Sequence, residues 1–262
     1  MISYKDKVVW ITGASSGTGE ALTYAFAKEG SKLIVSARRR DALERVRANC
    51  PQPDRVFVLP LDLENHQSLP NKAEQALKHF GGIDLLFNNG GISQRSLAKD
   101  TQTVVDKRLM DINYMGPVIL TKSILPYMAE QKRGQIAVMT SLAGKFGIPY
   151  RSAYAASKHA LHGFFDSLRP EVHDYNIGIT LIASGYIRTS IAQNAFNESG
   201  KPAQKNDAGI ENGMSPDYFA NMAMQALKRH KRELLLGGKE RMGVYLKRFA
   251  PGMLANLLRK QL

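Results

Sequence analysis

Seven short apolar runs recur along the chain, each closed by a turn or polar residue: "KVVWITG" from position 7, "KLIVSA" from 32, "RVFVLPLD" from 55, "IDLLFNNGG" from 83, "GQIAVMTS" from 134, "IGITLIASG" from 177 and "ELLLGG" from 233. They are continuous rather than alternating, so each predicts a strand covered on both faces. Between them lie stretches with helical periodicity, such as residues 19–29 and 69–80. Strand and helix in alternation predict βαβ units: an α/β fold, a Rossmann-like doubly wound parallel sheet with helices on both faces. Ligands of such sheets bind beyond the carboxyl ends of the strands, which picks out Gly13, Arg38, Asp62, Asn88, Ser141 and Gly185.

Two regions depart from the repeat. Residues 190–215 are polar and glycine-containing, which predicts a substrate loop or lid. Residues 239–262, "KERMGVYLKRFAPGMLANLLRKQL", form an amphipathic, basic extension in which Pro251 interrupts a helix. The remaining pattern reads as one domain spanning residues 1–262, a size that single α/β sheets commonly reach.

Composition adds limits. With 44% hydrophobic and 23% charged residues the chain can bury a full core. The single cysteine, Cys50, excludes an internal disulfide, and there is no Cys/His cluster with metal-ligand spacing. The N-terminus carries charge where a signal peptide has an apolar centre, and no apolar run is long enough to span a bilayer. These features lead us to expect a cytoplasmic protein without a metal. A net charge of +13 suits nucleic acid, anionic lipid or a phosphorylated ligand alike. From Lys228 onward there are ten Lys/Arg against two acids, so +8 of the excess lies in the last 35 residues. The cations are not interleaved with aromatic residues in a recognisable module, so nucleic acid is not an expected partner.

The first run ends in Thr12-Gly13-Ala14-Ser15-Ser16-Gly17-Thr18-Gly19. Three glycines after a strand permit a tight turn, close backbone approach to a pyrophosphate and a helix whose first amides face the phosphates. After the second strand such folds place an acid for a ribose hydroxyl or an arginine for a 2′-phosphate. Ala37 stands about where the acid would be, followed by Arg38 and Arg39. A guanidinium grips phosphate with charge-assisted hydrogen bonds, so NADP(H) is expected over NAD, with Arg38 and Arg39 as readers. Arg40 sits beside Asp41 and Glu44 at a helix start and is read as solvated. Asp62 either accepts from the adenine amino group or N-caps the next helix.

"SAYAASKHALHGFFDSL" from position 152 reads as a helix with Tyr154 and Lys158 at i and i+4 on one face. A nearby ammonium stabilises a phenolate, and lowering a tyrosine by about three units takes about 4 kcal/mol. One buried ammonium plus a cationic nicotinamide ring is a sufficient source. Ser141 ends the preceding strand, where its hydroxyl can hold a substrate oxygen.

With these residues in view the chain resembles the short-chain dehydrogenases/reductases along almost its whole length. The resemblance rests on "TGASSGTG", "NNGG" at Asn88–Gly91, Asn113-Tyr114-Met115-Gly116, Ser141 and Tyr154-x-x-x-Lys158, in that order. It implies an NAD(P)-dependent oxidoreductase with a tetrad of Asn113, Ser141, Tyr154 and Lys158. Tyr154 exchanges a proton with the substrate oxygen, Ser141 positions that oxygen, Lys158 lowers the tyrosine pKa and holds the nicotinamide ribose, and Asn113 fixes a water behind Lys158. The implied cofactor contacts are Gly13, Ser15, Ser16, Gly17, Thr18, Gly19, Asn89, Gly90, Tyr154 and Lys158, with Ile187 and Thr189 at the carboxamide. Three positions depart from the family pattern: Thr18 replaces Ile, Gly90 replaces Ala, and Ser184-Gly185 replaces Pro-Gly, which loosens the segment that meets the nicotinamide.

The resemblance also implies a homodimer or homotetramer acting on a small-molecule carbonyl or alcohol. The tail resembles that of a membrane-associated subgroup, notably in "VYLKRFAPG". It either packs on the domain or a second subunit, or makes a peripheral contact with a membrane surface. Leu142, Phe146, Ile148, Tyr150 and Tyr186 are candidate pocket walls and suggest a lipophilic substrate. An inactive dinucleotide sensor on the same fold is the alternative, but all four tetrad residues are present.

Overall fold

The computed structural model describes residues 2–204 and 208–260. Seven strands form a single parallel sheet: β1 (Val8–Thr12), β2 (Lys32–Ser36), β3 (Val56–Val58), β4 (Leu85–Asn88), β5 (Gly134–Met139), β6 (Ile177–Ser184) and β7 (Glu233–Leu236). Each grows from one of the seven apolar runs. The order is β3-β2-β1-β4-β5-β6-β7, so the winding reverses beside β1, with Thr12 opposite Ser36 on one side and Ile11 opposite Phe87 on the other. That reversal opens a crevice at the carboxyl ends of β1 and β4.

Because both faces are covered, alternate residues of one strand enter different cores. Val8 and Trp10 of β1 face one core with Leu86, Ile136 and Val138, whereas Val9 and Ile11 face the other with Phe87 and Ala137. Helices α1 (Gly17–Lys28) and α2 (Arg40–Ala48) cover the second core. Helices α3 (Leu69–Phe80), α4 (Thr103–Met110), α5 (Gly116–Glu130) and α6 (Ser152–Glu171) cover the first. A π-helical turn, Asp111–Met115, joins α4 to α5, a local widening that is common at functional sites.

Of the segment at 190–215, a short helix α7 (Ala208–Glu211) follows residues 205–207, which lie outside the described residues, and Ser215 caps the start of the next helix, α8 (Pro216–Lys228). The part before them is tethered: the Phe196 amide donates to the Ser93 carbonyl at 2.9 Å, the Arg95 amide donates to the Phe196 carbonyl at 2.8 Å, and Arg108 stacks over the buried Phe196 ring.

The basic tail folds into α9 (Met242–Phe249) and α10 (Pro251–Arg259). Pro251 separates them as the sequence predicts, occupying the first turn of α10 where its missing N–H costs no helical bond. Leu254 buries itself against Leu142, Phe146 and Ala183, so the tail packs on the domain beside the carboxyl end of β6.

Candidate active site

The glycine turn after β1 leaves no room for side chains. Gly13 has φ +67°, and a Cβ there would come within 2.7 Å of the Gly90 Cα; at Gly19 a Cβ would overlap the Gly13 carbonyl. The two loops thus meet backbone to backbone across the crevice. Asn89 ties them, its amide nitrogen donating to the Thr12 carbonyl at 2.9 Å. Thr18, in the place of the family's isoleucine, donates to the Asn89 Oδ1 at 2.9 Å, so this departure adds a tether. Gly90, in the place of alanine, has the Leu63 Cδ1 where a methyl would sit, 2.8 Å from an ideal Cβ. Ser16, the N-cap of α1, is extended and its side chain makes no capping bond, so the helix's first amides have no side-chain cap. Arg45, which sequence reasoning missed, donates to both Glu20 oxygens at 2.8 Å and to the Ser15 carbonyl at 3.2 Å, and so braces the turn from α2.

Arg38 and Arg39 follow β2, exposed and without an acidic partner among the described residues, whereas Arg40 pairs with Glu44 at 3.6 Å, as expected of a solvated corner. Asp62 is not the N-cap of the next helix: Asn65 and Ser68 hold the cap positions, and Asp62 Oδ1 instead accepts from the Glu64 amide at 3.0 Å.

The reaction end gathers on β5, α6 and the π-helical turn. Ser141 follows β5, accepting from the Ala143 amide at 3.1 Å and donating to the Ser184 carbonyl at 3.4 Å, with its hydroxyl near enough to Tyr154 to act on the phenol. Tyr154 stands in the first turn of α6, with Lys158 one turn on. Asn113 is fully buried: Oδ1 accepts from the Ile92 amide at 2.8 Å, and Nδ2 donates to the Ile92 carbonyl at 2.9 Å and to Ser157 at 3.1 Å. A Cβ on Gly91 would stand 2.9 Å from Asn113 Oδ1 and 3.5 Å from Lys158 Nζ, so the last glycine of "NNGG" keeps a gap between those two groups. The four tetrad residues therefore converge.

Burial dominates the electrostatics of Tyr154 and Lys158. Burial pushes the Tyr154 phenol above its ordinary value; the Ser141 hydrogen bond and the charge of Arg151 oppose this. The Lys158 Nζ lies 5.8 Å from the Tyr154 ring centre and donates to the Met139 carbonyl at 2.9 Å. Burial also pulls Lys158 down to about 8, which still leaves it mostly charged at neutral pH.

A cavity of about 460 Å³ runs from Thr18, Asn89 and Thr189 past Ser141, Tyr154 and Lys158 to a mainly apolar far wall. Leu142, Phe146, Ile148 and Tyr186 line it as expected; Tyr150 does not, being exposed with φ +63°. The wall beyond them is Leu246, Leu254, Leu257 and Leu258 of the tail, a role missed from sequence although Leu254 and Leu258 are spaced to share a helical face. Ile187 and Thr189 also line the cavity, and Gly17 has no room for a Cβ because the Thr189 methyl is 2.9 Å from its ideal position. Ser184-Gly185 does not loosen this segment: β6 stays paired through Ser184, the Gly185 amide donates to the Leu236 carbonyl at 2.8 Å, and Tyr186 and Arg188 bond to Met214.

A phosphate-cradling turn at the sheet's reversal and a Ser-Tyr-Lys-Asn cluster beside it define a dinucleotide-dependent oxidoreductase. Residues 7–200 match the short chain dehydrogenase family. The chain is 44% identical over 263 residues to the dehydrogenase/reductase SDR family protein 7-like of Anopheles gambiae, covering 97% of this chain and 83% of that protein. It is 38% identical over 262 residues to the dehydrogenase/reductase SDR family member 7B of Bos taurus, covering 97% and 81%. A crystal structure of a short-chain dehydrogenase from Streptomyces avermitilis superposes with a TM-score of 0.82 at 27% identity, over 98% of this chain and 97% of that one. The chain belongs to the short-chain dehydrogenase/reductase family.

Proposed function

We propose that this protein is an NADP(H)-dependent reductase of lipophilic carbonyl compounds, or a dehydrogenase of the corresponding secondary alcohols, with Tyr154 as general acid and base. The observation that carries the reading is the placing of Ser141, Tyr154 and Lys158 on the wall of one cavity that reaches the glycine turn at one end and a leucine wall at the other. The turn fits a dinucleotide, since Gly13, Gly17 and Gly19 exclude side chains and the uncapped amides of α1 suit a pyrophosphate. Arg38 and Arg39 are free to hold a 2′-phosphate, Asp62 is free to meet the adenine, and Lys158 suits the nicotinamide ribose. When bound, the reduced nicotinamide supplies hydride to the carbonyl carbon.

The protein's own part is positioning and proton handling. The Ser141 hydroxyl donates to the substrate oxygen and holds it next to the Tyr154 hydroxyl, which releases its proton as negative charge develops on that oxygen. Lys158, charged and buried, steadies the phenolate left behind, and the gap over Gly91 between it and Asn113 suits a water that returns the proton. A screen of NADPH oxidation over carbonyls graded in size and polarity tests the reading. Turnover rising with substrate apolarity supports it; NADPH binding without turnover of any carbonyl would favour a dinucleotide sensor.

A second reading concerns the tail. Met242, Tyr245 and Phe249 lie at three- and four-residue spacing on α9 and are exposed, Phe249 by 81%, and the same tail carries the exposed cations Arg241, Lys247, Arg248 and Arg259. An exposed apolar strip among cations suits an anionic membrane surface next to the cavity's leucine wall. No described helix is long and apolar enough to cross a membrane. The full chain is expected to float with anionic but not with zwitterionic liposomes, and Phe249→Glu is expected to abolish flotation. No flotation of the full chain would end this reading.

A further inference from the structure

Three residues beyond Gly91, the side chain of Gln94 is fully buried. Its Oε1 accepts from the backbone amides of Ala153 at 2.9 Å and Tyr154 at 3.2 Å. Helix α6 begins at Ser152, so these are two of the donors that a helix start leaves without an internal partner. Arg151, at the N-cap, supplies no side-chain capping bond. Gln94 therefore caps the catalytic helix from another loop.

Its orientation is dictated by chemistry. The Nε2 faces hydroxyls, Thr101 at 3.1 Å and Ser96 at 3.2 Å, with Ser152 at 3.4 Å. Thr101 spends its proton on the Leu97 carbonyl at 2.8 Å, so it accepts from Gln94 and from Ser96. Backbone amides only donate, hence only the oxygen of Gln94 can face them. The Gln94 backbone also pairs with Phe196 in a parallel bridge. Two residues earlier, Ile92 holds Asn113 by both its amide and its carbonyl. A single residue thus touches the first turn of α6, the loop that carries Phe196 and the loop that fixes Asn113.

We propose that Gln94 is a positioning residue for proton transfer: its side-chain carbonyl seats the first turn of α6 so that the Tyr154 hydroxyl meets Ser141, and its bridge to Phe196 ties that seat to the loop beside the cavity. The proposal rests on Tyr154 being the proton-exchanging group. Charged groups facing Tyr154 are Lys158 from α6 and Arg151 just before it, with Lys239 and Glu240 lining the same cavity from beyond β7. A carboxylate at position 94 would add a negative charge at the turn that carries the phenol.

Two variants test this. Gln94→Glu keeps an acceptor for the two amides, and an acid at a helix start is stabilising, so it is expected to fold. Its Tyr154 should titrate about one unit higher than in the unaltered protein. The readout is the ultraviolet tyrosinate difference between each protein and its Tyr154→Phe counterpart, which needs no substrate and so stands apart from the outcome of the carbonyl screen. Gln94→Met removes the cap at similar length. With any carbonyl found active, it should lower kcat by about ten- to a hundredfold while KM for NADPH changes less than about twofold. A Tyr154 midpoint unmoved by Gln94→Glu overturns the proposal, as does Gln94→Met lowering Tm alone with kcat unchanged.

Discussion

Arg38, Arg39 and Arg40 are adjacent cations with different surroundings. Arg40 spends its charge on Glu44, while its two predecessors are exposed at the end of β2 and have no carboxylate partner among the described residues. Replacing Arg38 and Arg39 with alanine is expected to raise the dissociation constant for NADPH by about ten- to a hundredfold, the worth of a lost charge-assisted contact, and that for NADH by less than about twofold. Calorimetric titration with both nucleotides checks this; equal losses would mean that the arginines do not read the 2′-phosphate. Lys158 gives a second test. Its pKa is about 8 in the fold against an ordinary lysine value near 10.5, so burial of the charge costs about 3 kcal/mol at neutral pH. Lys158→Met is therefore expected to lose turnover yet to unfold at a higher temperature at pH 7. Between about pH 8 and 10.5 the unfolded lysine holds its proton and the folded one does not, so the native protein recovers stability and the variant's advantage shrinks. Thermal melts across that range decide it. Tyr154, Lys158 and Ser141 were legible in the sequence because helix periodicity and strand ends place them. The hydrogen bond of Lys158 to Met139 was not, since it depends on how α6 lies against β5.

Helices α6 and α1 are seated in different ways. Helix α1 starts hard on the Gly13 carbonyl because Gly19 has no Cβ. Gly19→Ala must push α1 off the turn; it is expected to cost about 1–3 kcal/mol of stability and to weaken binding of NADPH and NADH alike, measurable by denaturant titration and nucleotide affinity. Equal loss for the two nucleotides sets this variant apart from the arginine pair. The glycines were visible from spacing alone, because a strand followed by a glycine-rich helix start is a local pattern. The cap of α6 was not visible: Gln94 lies 59 residues before Ala153, and nothing in "SQRSLAK" announces an acceptor for a distant helix. The brace between Arg45 and Glu20 is hidden for the same reason, its partners being 25 residues apart on different helices.

At the scale of the molecule, the parallel sheet was readable because strands buried on both faces are apolar throughout, and each of the seven runs became a strand. Strand order was beyond periodicity, as was the return of the tail to the reaction end, where α9 and α10 complete the cavity opposite the nucleotide turn. The proposed function would have this cavity take a hydride donor at one end and an apolar group at the other, with a proton source between them. That arrangement makes Tyr154 the centre of the account. Its most direct test is Tyr154→Phe, compared with the unaltered protein for NADPH oxidation with the best carbonyl of the graded screen and for NADPH affinity. Turnover lost by at least about a thousandfold, with NADPH affinity within about threefold, is the predicted result; turnover that survives the missing hydroxyl would contradict it.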